Sequence, residues 1–281
     1  MDRDVLDRWL SWQVSAKPLI DLRSTDAYLR GHIAGATSLP YVELRMRRHE
    51  LPDRGAALFI CSDEGSADAH AMLRDWGYDI VDALPLDEWL LVDLADHIKI
   101  ESGKLSLQLW QPNPLLPRVI DDIEKNVSTR CALDLACGSG RDSLYLAQRG
   151  WQVMAIDVQH DALQRLRLSA ERSQLSIDTL CQNIERDAPI LARDSFDLIV
   201  VVRYLHRPLL PLITQWLKRG GYLIYQQFHA DASAYGKPRS SAHLLRTGEL
   251  NEMYRGWTVV VDEMGRLDDG RPMINFVARK T

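Results

Sequence analysis

The sequence predicts two α/β domains in tandem, and three observations carry that reading. Short apolar runs alternate with helical periodicity twice, across residues 18–84 and again across 131–228. Between them stands "ESGKLSLQLWQPNPLLP" (101–117), where Pro112, Pro114 and Pro117 break regular structure. Each half also holds one strand–loop–helix junction: a cysteine-bearing one at 59–78 and a glycine-bearing one at 133–150. The boundaries expected are 1–100, a proline-rich linker 101–117, and 118–281.

In the first half, "PLIDLR" (18–23) and "AALFIC" (56–61) read as buried strands. "SADAHAMLRDWG" (66–77) reads as a helix with Ala69, Met72, Leu73 and Trp76 on one face, stopped by Gly77. "YDIVDAL" (78–84) is the next strand.

The second half restarts with strand "CALDLAC" (131–137), a helix closed by Gly150, and strand "WQVMAID" (151–157). A helix at 161–172 sets Ala162, Leu163, Leu166 and Ala170 on one side. Strands follow at 177–184 and 196–202, the latter apolar enough to be central. A helix at 208–221 is expected to stop at its glycines, before strands at 222–228, 257–264 and 272–280. Those seven strands imply a doubly wound, Rossmann-like, mostly parallel seven-stranded sheet with an antiparallel end.

Bulk composition narrows the classes. The 281 residues are 46% hydrophobic and 26% charged, which is globular rather than disordered. A net charge of −5 argues against broad nucleic-acid binding. No apolar run reaches ~18 residues, so no membrane span is expected. The first residues, "MDRDVLDRWLSW", carry acids and do not read as a signal peptide. Four cysteines without a paired CxxC give neither a disulfide framework nor a zinc site, and no metal is expected. Cys131, Cys137 and Cys181 read as small core fillers, and the whole reads as a reduced cytoplasmic protein.

The loop Ala136–Gly140 follows the first strand of the second half, where open parallel sheets bind ligands. Gly138 and Gly140 allow a tight turn and close backbone approach. A dinucleotide fingerprint needs a third glycine where Ser143 stands, and Asp134 beside a pyrophosphate would be repulsive. S-adenosylmethionine, cationic and without phosphate, fits better. Asp157, ending the second strand ~20 residues past the glycines, is placed to take hydrogen bonds from ribose hydroxyls.

"LDLACGSGRDSLYLA…VMAIDV…FDLIVVVRYLHRP…LKRGGYLIYQQF" resembles the class I S-adenosylmethionine-dependent methyltransferases, and among them the TehB-like subgroup. The resemblance implies Asp134, Ala136, Gly138 and Gly140 around the methionine part, Asp157 on the ribose and Val158 beside the adenine. It implies Asn183 and Ile184 at the adenine edge, although many relatives carry an acid where Asn183 stands. After the fourth strand it implies residues facing the methyl group. Arg203 is the candidate on the cofactor side, Tyr204 and Arg207 on the substrate side, and His206 as proton acceptor. The long polar stretch 234–250 resembles the lid-like insertion of these relatives.

"LIDLRSTDAYLRGHIAGATSLP" (19–40) resembles the N-terminal motif of rhodanese-like domains through Asp21, Arg23, Tyr28, Gly31, His32, Ile33, Gly35, Ala36 and Pro40. The resemblance implies Cys61 as a sulfur-accepting nucleophile, with 61–66 as an anion-cradling loop whose helix N-terminus lowers the thiol pKa. The loop departs from the family: Asp63 and Glu64 stand where arginines are usual, opposing thiolate formation and repelling anionic donors. Sulfur transfer from a donor and an inactive docking module both remain open.

The function expected is methyl transfer from S-adenosylmethionine to a small-molecule acceptor such as a thiol, persulfide or chalcogen compound. The alternatives are a methyltransferase for an unrelated metabolite with the first domain as interaction module, and a sulfurtransferase with a cofactor-sensing second domain.

Overall fold

The computed structural model describes residues 3–15, 17–63, 67–267 and 269–281. The chain divides into two compact units, Met1–Gln111 and Pro112–Thr281.

In the first unit, α1 (Arg3–Ser15) precedes β1 (Leu19–Asp21), α2 (Thr25–Arg30), β2 (His32–Ile33) and β3 (Thr37–Ser38). Then come β4 (Ala57–Ser62), α3 (Ala67–Asp75), β5 (Asp79–Pro85), α4 (Glu88–Leu94) and β6 (Ile100–Glu101). A parallel sheet runs β3-β1-β4-β5, and β2 pairs with β6 apart from it. Alternation sorts the strands onto two faces: Leu19, Phe59 and Cys61 pack with Trp9 and Tyr28, whereas Ile20, Leu58 and Ile60 pack with Leu73 and Tyr78. Helices α1 and α4 carry no strong sequence signal of their own. Helix α4 starts because the Asp87 side chain accepts the Leu90 amide at 2.7 Å.

Much of the stretch 101–117 is taken up by structure. Glu101 pairs with His32, the Tyr28 hydroxyl donates to the Leu105 carbonyl at 2.6 Å, and the Leu107 amide donates to Ala36. Leu115 already begins a helix.

The second unit contains α5 (Leu115–Asn126), β7 (Cys131–Leu135), α6 (Arg141–Gln148), β8 (Gln152–Asp157), α7 (His160–Arg172) and β9 (Ile177–Cys181). It continues with β10 (Phe196–Val202), α8 (Leu210–Trp216), β11 (Leu217–Phe228), α9 (Glu249–Met253), β12 (Thr258–Arg266) and β13 (Pro272–Arg279). The seven-stranded sheet has the order β12-β13-β11-β10-β7-β8-β9. It is mixed rather than wholly parallel, since β13 runs against both β11 and β12. Leu133, Ile199, Leu223 and Phe276 line one face, and Ala132, Val200, Ile224 and Val277 the other. Among the described residues no helix is long and apolar enough to cross a membrane.

Three expectations are corrected. The helix read over 208–221 ends at Trp216, because Leu217 turns extended and opens β11. The glycines sit inside that strand at a register shift, where Leu217 pairs with Phe196 and Tyr222 with Leu198. A Cβ on Gly221 would stand 3.0 Å from the backbone oxygens of Asp197 and Lys218, so only glycine fits the bulge comfortably. The strand read over 177–184 pairs only to Cys181. Cys181 is exposed rather than a core filler, because β9 is the edge of the sheet.

Candidate functional site

The carboxyl ends of β7, β8, β10 and β11 lie along one edge of the sheet, because these strands are mutually parallel. After β7 the backbone enters the left-handed region at Ala136 (φ 56°), Gly138 (φ 57°) and Gly140 (φ 73°). Glycine adopts this freely, whereas Ala136 carries roughly 1 kcal/mol of strain. The turn closes on itself through Gly140 N–H to Cys137 O at 2.9 Å and docks on β8 through Cys137 N–H to Ile156 O at 3.0 Å. A Cβ on Gly140 would strike the Leu166 side chain, so that glycine seats the loop against α7. A Cβ on Gly138 would meet nothing within 4 Å, so that glycine faces open space.

Asp157 binds this loop directly. Its Oδ2 accepts the Gly138 amide and its Oδ1 the Gln159 amide, each at 2.8 Å. Each oxygen keeps a further lone pair for another donor. Asp134 is buried, and its Oδ2 accepts the Ser143 hydroxyl at 2.6 Å. Ser143 therefore occupies the position a dinucleotide site would give to glycine, and uses it to hold an acid. Asp142, also buried, accepts the Asn113 amide at 2.6 Å. Burial, and for Asp134 the neighbouring Asp142 charge, push both carboxyl groups well above the usual carboxylate range.

A polar chain runs from there across the sheet. Asn113 Nδ2 donates to Gln226 Oε1 at 2.9 Å, Gln226 Nε2 to Asn275 Oδ1 at 2.8 Å, and Asn275 Nδ2 to Glu263 Oε1 at 3.4 Å. Glu263 pairs with Arg118 at 2.6 Å. Sequence reading missed Asn113, Asp142, Gln226 and the buried His229 at the end of β11. The available signal was "QQFH", a polar cluster ending an apolar strand.

The remaining expected residues fall as follows. Val158 is 57% exposed next to Asp157, an apolar surface beside the loop. Asn183 is exposed and caps its own turn, accepting the amides of Glu185 and Arg186. Ile184 is buried in the main core cluster. Arg203 adopts φ 56° and is exposed, its amide donating to Gln226 O at 2.8 Å. The Tyr204 hydroxyl is buried and makes no hydrogen bond of good geometry among the described residues, although Glu185 lies close enough to act on it. Burial pushes its phenol up, with Glu185 and Asp157 adding to the shift. His206 caps the turn at Arg207–Leu209 and its ring is half-buried.

Arg207, expected to reach substrate, is committed elsewhere. It forms a two-pronged pair with Glu249 at 2.6 and 3.1 Å and donates to the carbonyls of Ser241, Ala242 and Leu244. It ties the loop after β10 to the segment that precedes α9. His229 makes a second tie, with its ring 3.0 Å from Thr247 Oγ1 and its backbone bridged to Leu245.

In the first unit, Cys61 lies within β4, fully buried and in register with Asp21. Burial pushes its thiol well up, Asp21 adds to this, and Arg23 opposes it. Arg23 is itself buried and spent on Asp21 at 2.6 Å and on the Gly31 carbonyl. Among the described residues, burial and Asp21 therefore oppose the thiolate and Arg23 favours it. Glu64, Gly65 and Ser66 of the expected loop lie outside the described residues. Among the described residues no cluster of His, Cys, Asp and Glu could hold a metal.

The second unit suits S-adenosylmethionine on its own geometry. Among the described residues a buried acid has no cation paired with it, and a glycine turn opens onto free space beside it. Comparisons with known proteins agree. Residues 113–275 match the family model of the tellurite resistance protein TehB, and residues 3–85 that of the rhodanese-like domain. The chain is similar, at 26% identity over 93% of both chains, to "Uncharacterized protein UNK4.09" of Schizosaccharomyces pombe. It is 32% identical to the "Probable S-adenosyl-L-methionine-dependent methyltransferase TehB" of Haemophilus influenzae over 52% of this chain and 53% of that one, so it spans about half of that relative. The crystal structure of TehB from Haemophilus influenzae aligns over 59% of this chain and 62% of its own, at TM-score 0.49 and 26% identity. The chain thus belongs to the TehB family of S-adenosylmethionine-dependent methyltransferases, with a rhodanese-like domain ahead of the methyltransferase domain.

Proposed function

We propose that this protein methylates a small molecule at the carboxyl edge of the second unit's sheet, and that the acceptor atom is a soft nucleophile such as a thiol, persulfide or chalcogen. The observation carrying the cofactor half is the Gly138–Asp157 bond, which joins a glycine turn to a ribose-type acid. The soft acceptor is supported by the rhodanese-like unit in the same chain and by the TehB likeness.

S-adenosylmethionine, when bound, would supply an electrophilic methyl group on a cationic sulfur that can keep the released electron pair. Asp134, held by Ser143, would ionise against the ammonium group, whose cation offsets the burial that keeps this acid protonated without ligand. Asp157 accepts ribose hydroxyls on the lone pairs its amide partners leave. Gly138 lets the backbone approach closely. Val158 and Asn183, both exposed, would flank the adenine, with Ile184 packed behind them in the core. Arg203 lies beside Asp142 on the cofactor side, and its charge favours ionised Asp142. The Tyr204 hydroxyl orients the acceptor, and His206 takes its proton. Arg207 acts from a distance, by holding the roof of the site. Position and desolvation supply most of the acceleration.

The rhodanese-like unit serves as an interaction module in this reading. The buried Cys61 and the spent Arg23 support that role over sulfur carriage. The test is binding of S-adenosylmethionine, and its turnover with thiols, hydrogen persulfide and selenide, in wild type and Asp157→Ala. Saturable binding and turnover in wild type alone support the reading. A wild type that does not bind the cofactor overturns it.

A further inference from the structure

The segment after β11 borders an open cleft of about 510 Å³ lined by Arg207, Arg239 and Arg246 together with Ser233, Ser241 and Leu244. Its place is the carboxyl edge of the sheet: Ala230, two residues past β11, and Arg207, five past β10, both border it. The charges around it do not balance. Glu249 is nearly buried and is shared by Arg207 at 2.6 Å and Arg246 at 3.4 Å. The Arg207 guanidinium is saturated by Glu249 and three carbonyls, so it builds wall rather than offering donors. Arg246 is exposed and its side chain touches Glu249 through Nε alone, so its two terminal nitrogens have no partner among the described residues. Arg239 is exposed and has no hydrogen-bond or ion-pair partner among the described residues.

Two guanidinium groups with unused forks therefore border a concave space the size of a small metabolite. Guanidinium groups match carboxylate and phosphate oxygens in pairs. Resting on the methyl-transfer reading, we propose that this cleft is the acceptor's anchor. In that role it takes a small molecule bearing a carboxylate or phosphate group, held by Arg239 and Arg246, with its nucleophilic atom directed toward Tyr204 and His206. A macromolecular polyanion fits poorly, because the chain as a whole is acidic.

The test uses the full chain at constant ionic strength and three probes: inorganic phosphate, 3-mercaptopropionate and the uncharged 2-mercaptoethanol. Calorimetric titration of wild type should show saturable binding of both anions and little of the neutral thiol. The Arg239→Gln/Arg246→Gln double variant should bind the anions about tenfold or more weakly, and Arg239→Lys/Arg246→Lys should recover part of that loss. No saturable anion binding by wild type, or equal affinity in the glutamine variant, overturns the anchor. Equal binding of 2-mercaptoethanol also overturns it. S-adenosylmethionine binding is measured on the same samples. Its persistence while anion binding fails sinks the anchor alone, and its absence in wild type sinks the cofactor reading while anion binding is judged separately. Unchanged melting temperatures exclude misfolding, since both arginines are exposed.

Discussion

The Gly138 amide lies 2.8 Å from Asp157 Oδ2, so the acid that ends β8 shapes the loop that follows β7 before any ligand arrives. Replacing Asp157 by Ala removes ribose acceptors and releases two amides together. Hydrogen bonds to charged groups are worth roughly 1.5–3 kcal/mol each, so S-adenosylmethionine binding should weaken by about 100-fold or more. Equilibrium dialysis with labelled cofactor measures this, and a loss under fivefold would refute it.

Asp134 makes stability depend on pH. Its folded pKa lies above its unfolded one, pushed up to about 8 by burial and by Asp142. Its contribution is therefore present below the ordinary carboxylate range and lost as pH rises toward 8. The second unit should melt progressively lower across that window without ligand, and Asp134→Asn should flatten the dependence while abolishing cofactor binding. Thermal scans from pH 5 to pH 9 (roughly the span over which such a group titrates) provide the check. S-adenosylmethionine should raise the melting point most at the alkaline end.

Two glycine substitutions should part company. Gly140→Ala forces φ 73° on alanine and drives its methyl into Leu166, which should destabilise the unit by about 2–4 kcal/mol. Gly138→Ala has open space and should cost about 1 kcal/mol, yet lose cofactor binding because the methyl enters the space a ligand needs. Urea melts alongside binding assays distinguish the two, and equal effects on both properties would contradict the account.

Arg207→Gln leaves the nearly buried Glu249 with the weaker Arg246 contact alone. With the arginine partly exposed, the expected destabilisation is about 1–3 kcal/mol. Hydrogen exchange should quicken selectively over residues 229–249, with the acceptor KM rising more than kcat falls. Uniform exchange across the unit would show that the clamp is not local.

Thiol reactivity should follow burial. Iodoacetamide should label the exposed Cys181 first and leave Cys61 untouched until the first unit unfolds. Intact-protein mass spectrometry after thiosulfate should find no added sulfur on native protein. A persulfide on Cys61 would restore the sulfur-carrier reading.

Most of the sheet was legible, because Leu133, Ile199 and Leu223 sit in uninterrupted apolar runs whose period is plain. Asp134 and Asp157 were legible for the same reason: each is an acid breaking or ending such a run. Arg207 was not, since its role depends on Glu249, forty-two positions away, and no local pattern encodes that pairing. Cys61 stands at the end of an apolar strand, and whether the strand includes it or releases it is a one-residue question that tertiary packing decides; here the strand includes it. The glycines at 220 and 221 read as a helix stop, but the chain spends them on a bulge inside β11.

The Gln226–Asn275 bond has a consequence for assembly. These residues face each other across β11 and β13, and β13 must slot between two strands that precede it in the chain. A slip of one position would set Ile274 or Phe276 against the glutamine, turn apolar side chains outward, and strand the amide groups without partners. The polar pair thus works as a key that admits one alignment. Because Gln226 also holds Asn113, which in turn holds Asp142, a misaligned final strand would leave the glycine turn without its supports. Proofreading of the sheet and readiness of the pocket are the same event.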